Sequence, residues 1–232
     1  MDVGQLLARM NPKTVNYMGV CGGEPELTTA DIAGALAFVP KGLGRSVLEA
    51  VYWPDGACRT NDLRNAVMGL VMPELSRQLY CLQEAELDLQ LTQAAVQWSN
   101  RGITHEQQKA IERARCNLES VRAKTWPRKT VEHIPIITRA IVREMSGAVK
   151  CPSCSGYGEI ERNGIQGQCD NCKASGQVFY SDRGRASLIN CDHALYLRCW
   201  KRVYVWTFDK LLDAKYKAYR HFEAALYRKV SA

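Results

Sequence analysis

Two Cys-x-x-Cys pairs, Cys151/Cys154 and Cys169/Cys172, constrain the fold of this chain more than any other feature. Each is followed by small residues and glycine: Ser155-Gly156-Tyr157-Gly158 after the first, Ala174-Ser175-Gly176 after the second. A Cys-x-x-Cys turn brings two thiolates to one side of a tight loop. Two such turns supply the tetrahedral four-sulfur shell that Zn2+ takes in structural sites, and the spacing lies near the four-cysteine zinc pattern. Glycines at these places let backbone N–H groups turn toward the sulfurs. A pair of redox dithiols would want its Cys-x-x-Cys at a helix N-terminus, and an iron–sulfur cluster would want further cysteines at cluster spacing. A closed four-cysteine shell leaves no open coordination position, so the expected metal is structural Zn2+ and not a catalyst.

The 232 residues, 46% of them hydrophobic, are enough to bury a real core. The net charge of +7 and a pI of about 8.9 mildly favour a polyanionic partner. The other six cysteines, Cys21, Cys58, Cys81, Cys116, Cys191 and Cys199, are scattered and read as reduced core residues of a cytosolic protein. The N-terminal twenty residues hold no apolar run of signal-peptide length, and no stretch approaches the roughly 18 apolar residues of a membrane span. The expectation is a soluble, cytoplasmic chain with no membrane partner.

The organisation falls into a helical region over 1–145, a zinc-binding module over 146–180 and a basic segment over 181–232. In the first, Leu6, Leu7 and Met10 suggest a small helical face. Ile32, Ala35, Leu36 and Val39 predict a helix over about 28–38, and Val47, Leu48 and Val51 another before the Trp53-Pro54-Asp55-Gly56 turn. Leu63, Val67, Leu70, Val71, Leu75, Leu79 and Leu82 predict one long helix or two abutting ones over 61–99, kinked or split at Pro73. Asn100-Arg101-Gly102 breaks it. Thr104 with Gln107 has the form of a capping box for a helix carrying Lys109, Arg113, Arg115, Arg122 and Lys124. A solvated surface and a phosphate-contacting face explain those charges about equally well. An apolar helical segment, Val131–Met145, leads into the zinc module, with Pro135 expected at its start. Asn163-Gly164 between β-capable flanks predicts a hairpin between the cysteine pairs, and Gln177–Tyr180 a further strand.

From Ser181 on, eleven basic residues oppose five acids, which is most of the net charge. Ser181 or Asp182 can cap a short helix. Asn190-Cys191 makes a turn, and Asp192 caps a second helix with Leu195, Cys199 and Val203 at helical spacing. Short helix, tight turn and amphipathic helix outline a helix-turn-helix. That outline turns His193, Tyr196 and Lys201 toward a DNA groove and leaves Arg183, Arg185, Arg198 and Arg202 for phosphates. A separate final helix is expected to carry Phe208, Leu211, Leu212, Tyr216, Tyr219, Phe222 and Leu226. The fold class is therefore mainly α, with a small four-cysteine zinc-binding β-hairpin module and a helix-turn-helix-like C-terminal segment.

No catalytic constellation stands out. The four histidines, His105, His133, His193 and His221, share no metal-ligand spacing with an acid, and neither a phosphate-binding Gly-Lys-Ser/Thr loop nor a Gly-x-Ser-x-Gly elbow occurs. The acids are dispersed, unlike the Mg2+ cluster of a nuclease. The chain reads as a binding protein, not an enzyme.

The paired cysteine turns CPSCSGYG and CDNCKASGQV, followed by Arg185-Ala186-Ser187-Leu188 and the Trp- and Arg-rich stretch Leu197–Tyr204, resemble the late-gene antitermination Q proteins of lambda-like phages. The resemblance covers about residues 145–205. It implies a factor that binds double-stranded DNA overlapping a late promoter and engages RNA polymerase holoenzyme at a sigma-dependent pause. Such a factor then travels with polymerase past terminators, acting at the exit channel of the nascent RNA. The alternatives are a conventional sequence-specific DNA-binding regulator and a zinc-dependent protein-interaction module.

Overall fold

The computed structural model describes residues 29–52, 60–98, 103–147, 149–162, 165–172 and 176–230. The expected face at Leu6, Leu7 and Met10, Cys21 and Cys58, the Trp53–Gly56 turn, the Asn100–Gly102 break and the Asn163-Gly164 loop all lie outside them. Residues Met68–His133 form one compact unit, and the described residues up to Val67 and from Ile134 on belong to another.

The helical spacing of Ile32, Ala35 and Leu36 becomes α1 (Thr29–Ala37), and that of Val47, Leu48 and Val51 becomes α2 (Leu43–Tyr52). Both helices pack on the long C-terminal helix, Lys201–Val230. Ile32, Ala35, Leu36, Val39 and Leu48 share one buried cluster with Ala218, Phe222 and Leu226 of that helix. Each large side chain so buried contributes on the order of 1.5–3 kcal/mol. Gly44 sets the approach of α2. A Cβ there would lie 2.5 Å from the Ala214 carbonyl oxygen and 2.9 Å from the Ala218 Cβ, so the two helices meet almost backbone to backbone.

Helix α3 (Thr60–Gln97), which belongs to the other unit from Met68 on, runs through Pro73 without a break. The proline removes the donor for the Gly69 carbonyl, and Gly69 is exposed, where water can replace it. Helix α4 (His105–Lys124) starts at the expected capping box, with the Thr104 hydroxyl accepting from the Gln107 N–H and the Gln107 side chain accepting from the Thr104 N–H. Leu82, Ala85 and Leu89 of α3 meet Leu118 and Val121 of α4. Gln78 caps the exit of the hairpin by accepting from the Trp126 N–H at 2.9 Å.

Helix α5 (Thr130–Ser146) begins earlier than expected and holds Pro135 in its second turn. Ile134, Ile137, Ile141 and Met145 are buried along one face, whereas Ile136 is exposed. Two small antiparallel ladders follow. Strand β1 (Val149–Lys150) pairs with β4 (Gln177–Val178), and β2 (Glu159–Arg162) pairs with β3 (Ile165–Gln168). Arg162 stands opposite Ile165, as a two-residue hairpin connection requires.

Ser181 caps α6 (Asp182–Leu188) by accepting from the Gly184 N–H, and Asp192 caps α7 (His193–Leu195) by accepting from the Ala194 and Leu195 N–H groups. The separate recognition and final helices of the sequence reading do not form. From His193 the chain stays helical through a π turn, Tyr196–Trp200, directly into α8 (Lys201–Val230). Neither glycine nor proline occurs between His193 and Val230, so nothing in the covalent chain stops the helix. Among the described residues, no helix is long and apolar enough to cross a membrane.

Candidate metal centre and the segment it anchors

The cysteine site is built as a repeated unit. In each half, Cys-x-x-Cys is followed after three residues by a glycine, Gly158 in the first and Gly176 in the second. Both glycines have positive φ, 80° and 70°. That conformation, which a Cβ disfavours, turns each glycine N–H back onto a sulfur. Gly158 donates to the Cys154 Sγ at 3.2 Å, and Gly176 donates to the Cys172 Sγ. The halves then lock reciprocally. Cys169 N–H donates to the Gly158 carbonyl at 2.8 Å, and Cys151 N–H donates to the Gly176 carbonyl at 2.9 Å. The β2–β3 hairpin carries the chain from one half to the other, and the β1–β4 ladder closes the module at its base.

All four sulfurs are brought together. They lie within 4.8 Å of one another, on residues that are all buried. Cys151 and Cys169 Sγ are 3.9 Å apart, and Cys154 and Cys172 Sγ 3.7 Å apart. A tetrahedral ion with sulfur at about 2.3 Å demands S···S separations of about 3.8 Å, which these two pairs match, so the quartet could hold a metal ion. Asn171 donates through Nδ2 to the Cys151 Sγ at 3.4 Å and to the Ser153 Oγ at 3.2 Å, fixing the first turn from the second. Burial pushes the Cys151 thiol up, but N–H groups of Ser153 and Cys154 and the neighbouring thiols outweigh it and bring it down to about 6. Burial holds the Cys172 thiol up, at about 11, against the Gly176 N–H. A cation that displaces the thiol protons gains a site already lined with N–H donors.

A second polar centre ties this module to the helices after it. The Glu144 carboxylate, at 0% exposure, accepts from Arg185 Nε and Nη2 (closest 2.9 Å), from the Tyr204 hydroxyl at 2.7 Å and from the Tyr180 N–H at 3.0 Å. Four elements meet on one carboxylate: the end of α5, the residues after β4, α6 and α8. Burial works against the Arg185 cation, but Glu144 outweighs it and raises its pKa. The Arg185 guanidinium also lies over the Phe208 and Tyr204 rings, 4.9 and 5.2 Å from their centroids. Burial above all, and then Glu144, pushes the Tyr204 phenol far up.

The residues expected to meet DNA divide accordingly. Tyr196, expected to face a groove, is fully buried and stacks edge-on with Tyr204 at 6.0 Å, and its burial pushes the phenol up to about 12. Arg185, expected to reach phosphate, is held by Glu144. Lys201 donates to Asp182 at 2.6 Å, a half-exposed pair joining α6 to α8 and worth under about 1 kcal/mol. Arg183, Arg198 and Arg202 are exposed, and His193 is partly so. Arg183 and Arg198 make no ion pair among the described residues. The sequence reading passed over Glu144, although a lone acid near the end of an apolar helical face was its visible signal.

No protein-family model, curated protein or solved structure matches this chain.

Proposed function

We propose that the chain is a zinc-scaffolded transcription antitermination factor. It binds duplex DNA near a late promoter, loads onto paused RNA polymerase and carries it through terminators. The observation that carries the reading is the join between the two parts of the Ile134–Val230 region. A closed, buried quartet of cysteines is braced through Tyr180 and Glu144 against a helical segment with exposed arginines, Arg183 and Arg198, that lack carboxylate partners among the described residues. The all-sulfur shell favours Zn2+, which would hold the two turns together and leave no coordination position for a substrate. Cations without intramolecular partners suit phosphates. The polymerase step rests on the resemblance of the 145–205 region to the phage Q proteins.

Transcription in vitro tests the reading. Purified bacterial RNA polymerase is given a template with the cognate late promoter followed by an intrinsic terminator. Read-through that rises with this protein and requires the promoter-proximal DNA supports antitermination. DNA binding without read-through makes the chain a conventional regulator, and absence of both removes the nucleic-acid reading altogether.

A further inference from the structure

Helix α8 carries a second surface, opposite its core face. Val203, Phe208, Leu211, Ala218, Phe222 and Leu226 are buried along one side. At the helical repeat of 3.6 residues, Arg202, Trp206, Lys210, Lys217 and Arg220 fall within a narrow arc on the other side. The four cationic residues are exposed, and Trp206 is half-buried. Lys210 rests its ammonium 5.7 Å from the Trp206 ring centroid. Lys217 and Arg220 make no ion pair among the described residues. Asp213 lies in the same arc, one turn before Lys217 in the order that best suits an acid–base pair, yet no ion pair forms between them among the described residues. Arg198, in the π turn, extends the row toward α6.

We propose that this row is the phosphate-binding face of the chain and that its ligand is duplex nucleic acid. The inference rests on the DNA-binding reading above and relocates the contact, from the helix-turn-helix outline to the outer side of α8. Two observations favour it. Of the seven residues that the outline assigned to DNA, Tyr196 is buried and Arg185 and Lys201 are ion-paired. By contrast, the row offers four exposed cations, Arg202, Lys210, Lys217 and Arg220, spaced about two, two and one helical turns apart over the 18-residue rise from Arg202 to Arg220. That length of helix spans about 27 Å, a stretch of duplex carrying about 16 phosphates. An anionic membrane is the weaker ligand, because an interfacial helix must offer an apolar face beside its basic one, and the apolar face of α8 is spent in the core.

The test uses the full chain in its metal-loaded form and a generic 30-base-pair duplex, with binding followed by fluorescence anisotropy across a salt series. Lys210→Ala/Lys217→Ala/Arg220→Ala is compared with Lys109→Ala/Arg113→Ala/Lys124→Ala, an equal charge change on exposed residues of α4. Thermal melts confirm that both triple variants are folded. The α8 variant should lose at least tenfold in affinity, and its salt dependence should flatten by about 0.9 in log–log slope for each contact removed. The α4 variant should stay within about threefold of the parent. Equal losses in both variants would reduce the effect to net charge and overturn the proposal, as would a loss confined to α4. Both results leave the DNA-binding reading in place. A parent chain that binds no duplex at low salt, or that prefers phosphatidylglycerol vesicles, overturns the reading itself.

Discussion

Removing the Arg185 guanidinium separates a structural role from a nucleic-acid role at one residue. Arg185→Met strips Glu144, at 0% exposure, of its cation while leaving the Tyr204 and Tyr180 donors in place. Glu144→Ala does the reverse, leaving a largely buried guanidinium and the Tyr204 hydroxyl without their acceptor. Breaking a buried pair from one side costs about 3–5 kcal/mol, because the remaining charge is uncompensated. At about 2–4 °C of melting temperature per kcal/mol for a chain near this size, each single variant should melt roughly 6–20 °C lower. Replacing both charges together, Glu144→Met/Arg185→Met, should recover much of that loss, since an apolar pair of similar volume is often no worse than the ion pair. The unpaired Tyr204 hydroxyl keeps a residual cost of about 1–3 kcal/mol, which adding Tyr204→Phe should remove. Melting is followed by circular dichroism, and duplex binding of each folded variant by anisotropy. An Arg185→Met chain that melts like the parent but binds duplex more weakly would refute the structural role and return Arg185 to the phosphates.

Three further outcomes follow from the packing. Gly44→Ala should destabilise by about 1–3 kcal/mol in denaturant titration. The gain of up to about 1 kcal/mol in helix propensity is outweighed where the new Cβ meets the Ala214 carbonyl oxygen at 2.5 Å; a stabilised variant would contradict the close α2–α8 contact. Gly176→Ala should weaken metal retention against a chelator, because its Cβ would run into the Gly156 carbonyl and the site needs φ of +70°. Lys215 is buried on α8 and its pKa is lowered by that burial. The folded chain therefore binds this proton less tightly than the unfolded chain, and its contribution to stability is present at alkaline pH and lost as pH falls through the depressed value. Lys215→Met should raise stability at neutral pH and flatten the stability profile on the alkaline side. An unchanged profile would show that the ammonium reaches water in the folded state.

Local chemistry was legible in the sequence, and long-range pairing was not. The capping box at Thr104 and Gln107, the caps at Ser181 and Asp192, and the three-to-four spacing of α1, α2 and α3 all express interactions within a few residues, and the structure forms each of them. The four cysteines were readable for the same reason, since each pair is a local turn. The repeat of glycine four residues after each second cysteine was also visible, and it accounts for the reciprocal locking of the two halves. By contrast, β1 is two residues long and carries no period that would announce it, and although a strand at Gln177–Tyr180 was readable, its pairing with β1 was not. The Glu144–Arg185 pair spans 41 residues of sequence, and nothing near either residue names the other. The helix-turn-helix outline came from correct caps and a correct turn. It failed to anticipate that α7 would run on into α8, which commits Tyr196 to the core and leaves the outer side of one long helix exposed.

The four-cysteine centre is tested most directly by metal analysis of the protein purified under reducing conditions. One zinc per chain is the predicted result, exchangeable for cobalt with the absorption of a tetrahedral thiolate site, and lost in Cys154→Ser and Cys172→Ser together with the cooperative melt of the module. A metal-free chain that melts identically before and after chelator, or serine variants with the parent's melt, would contradict it.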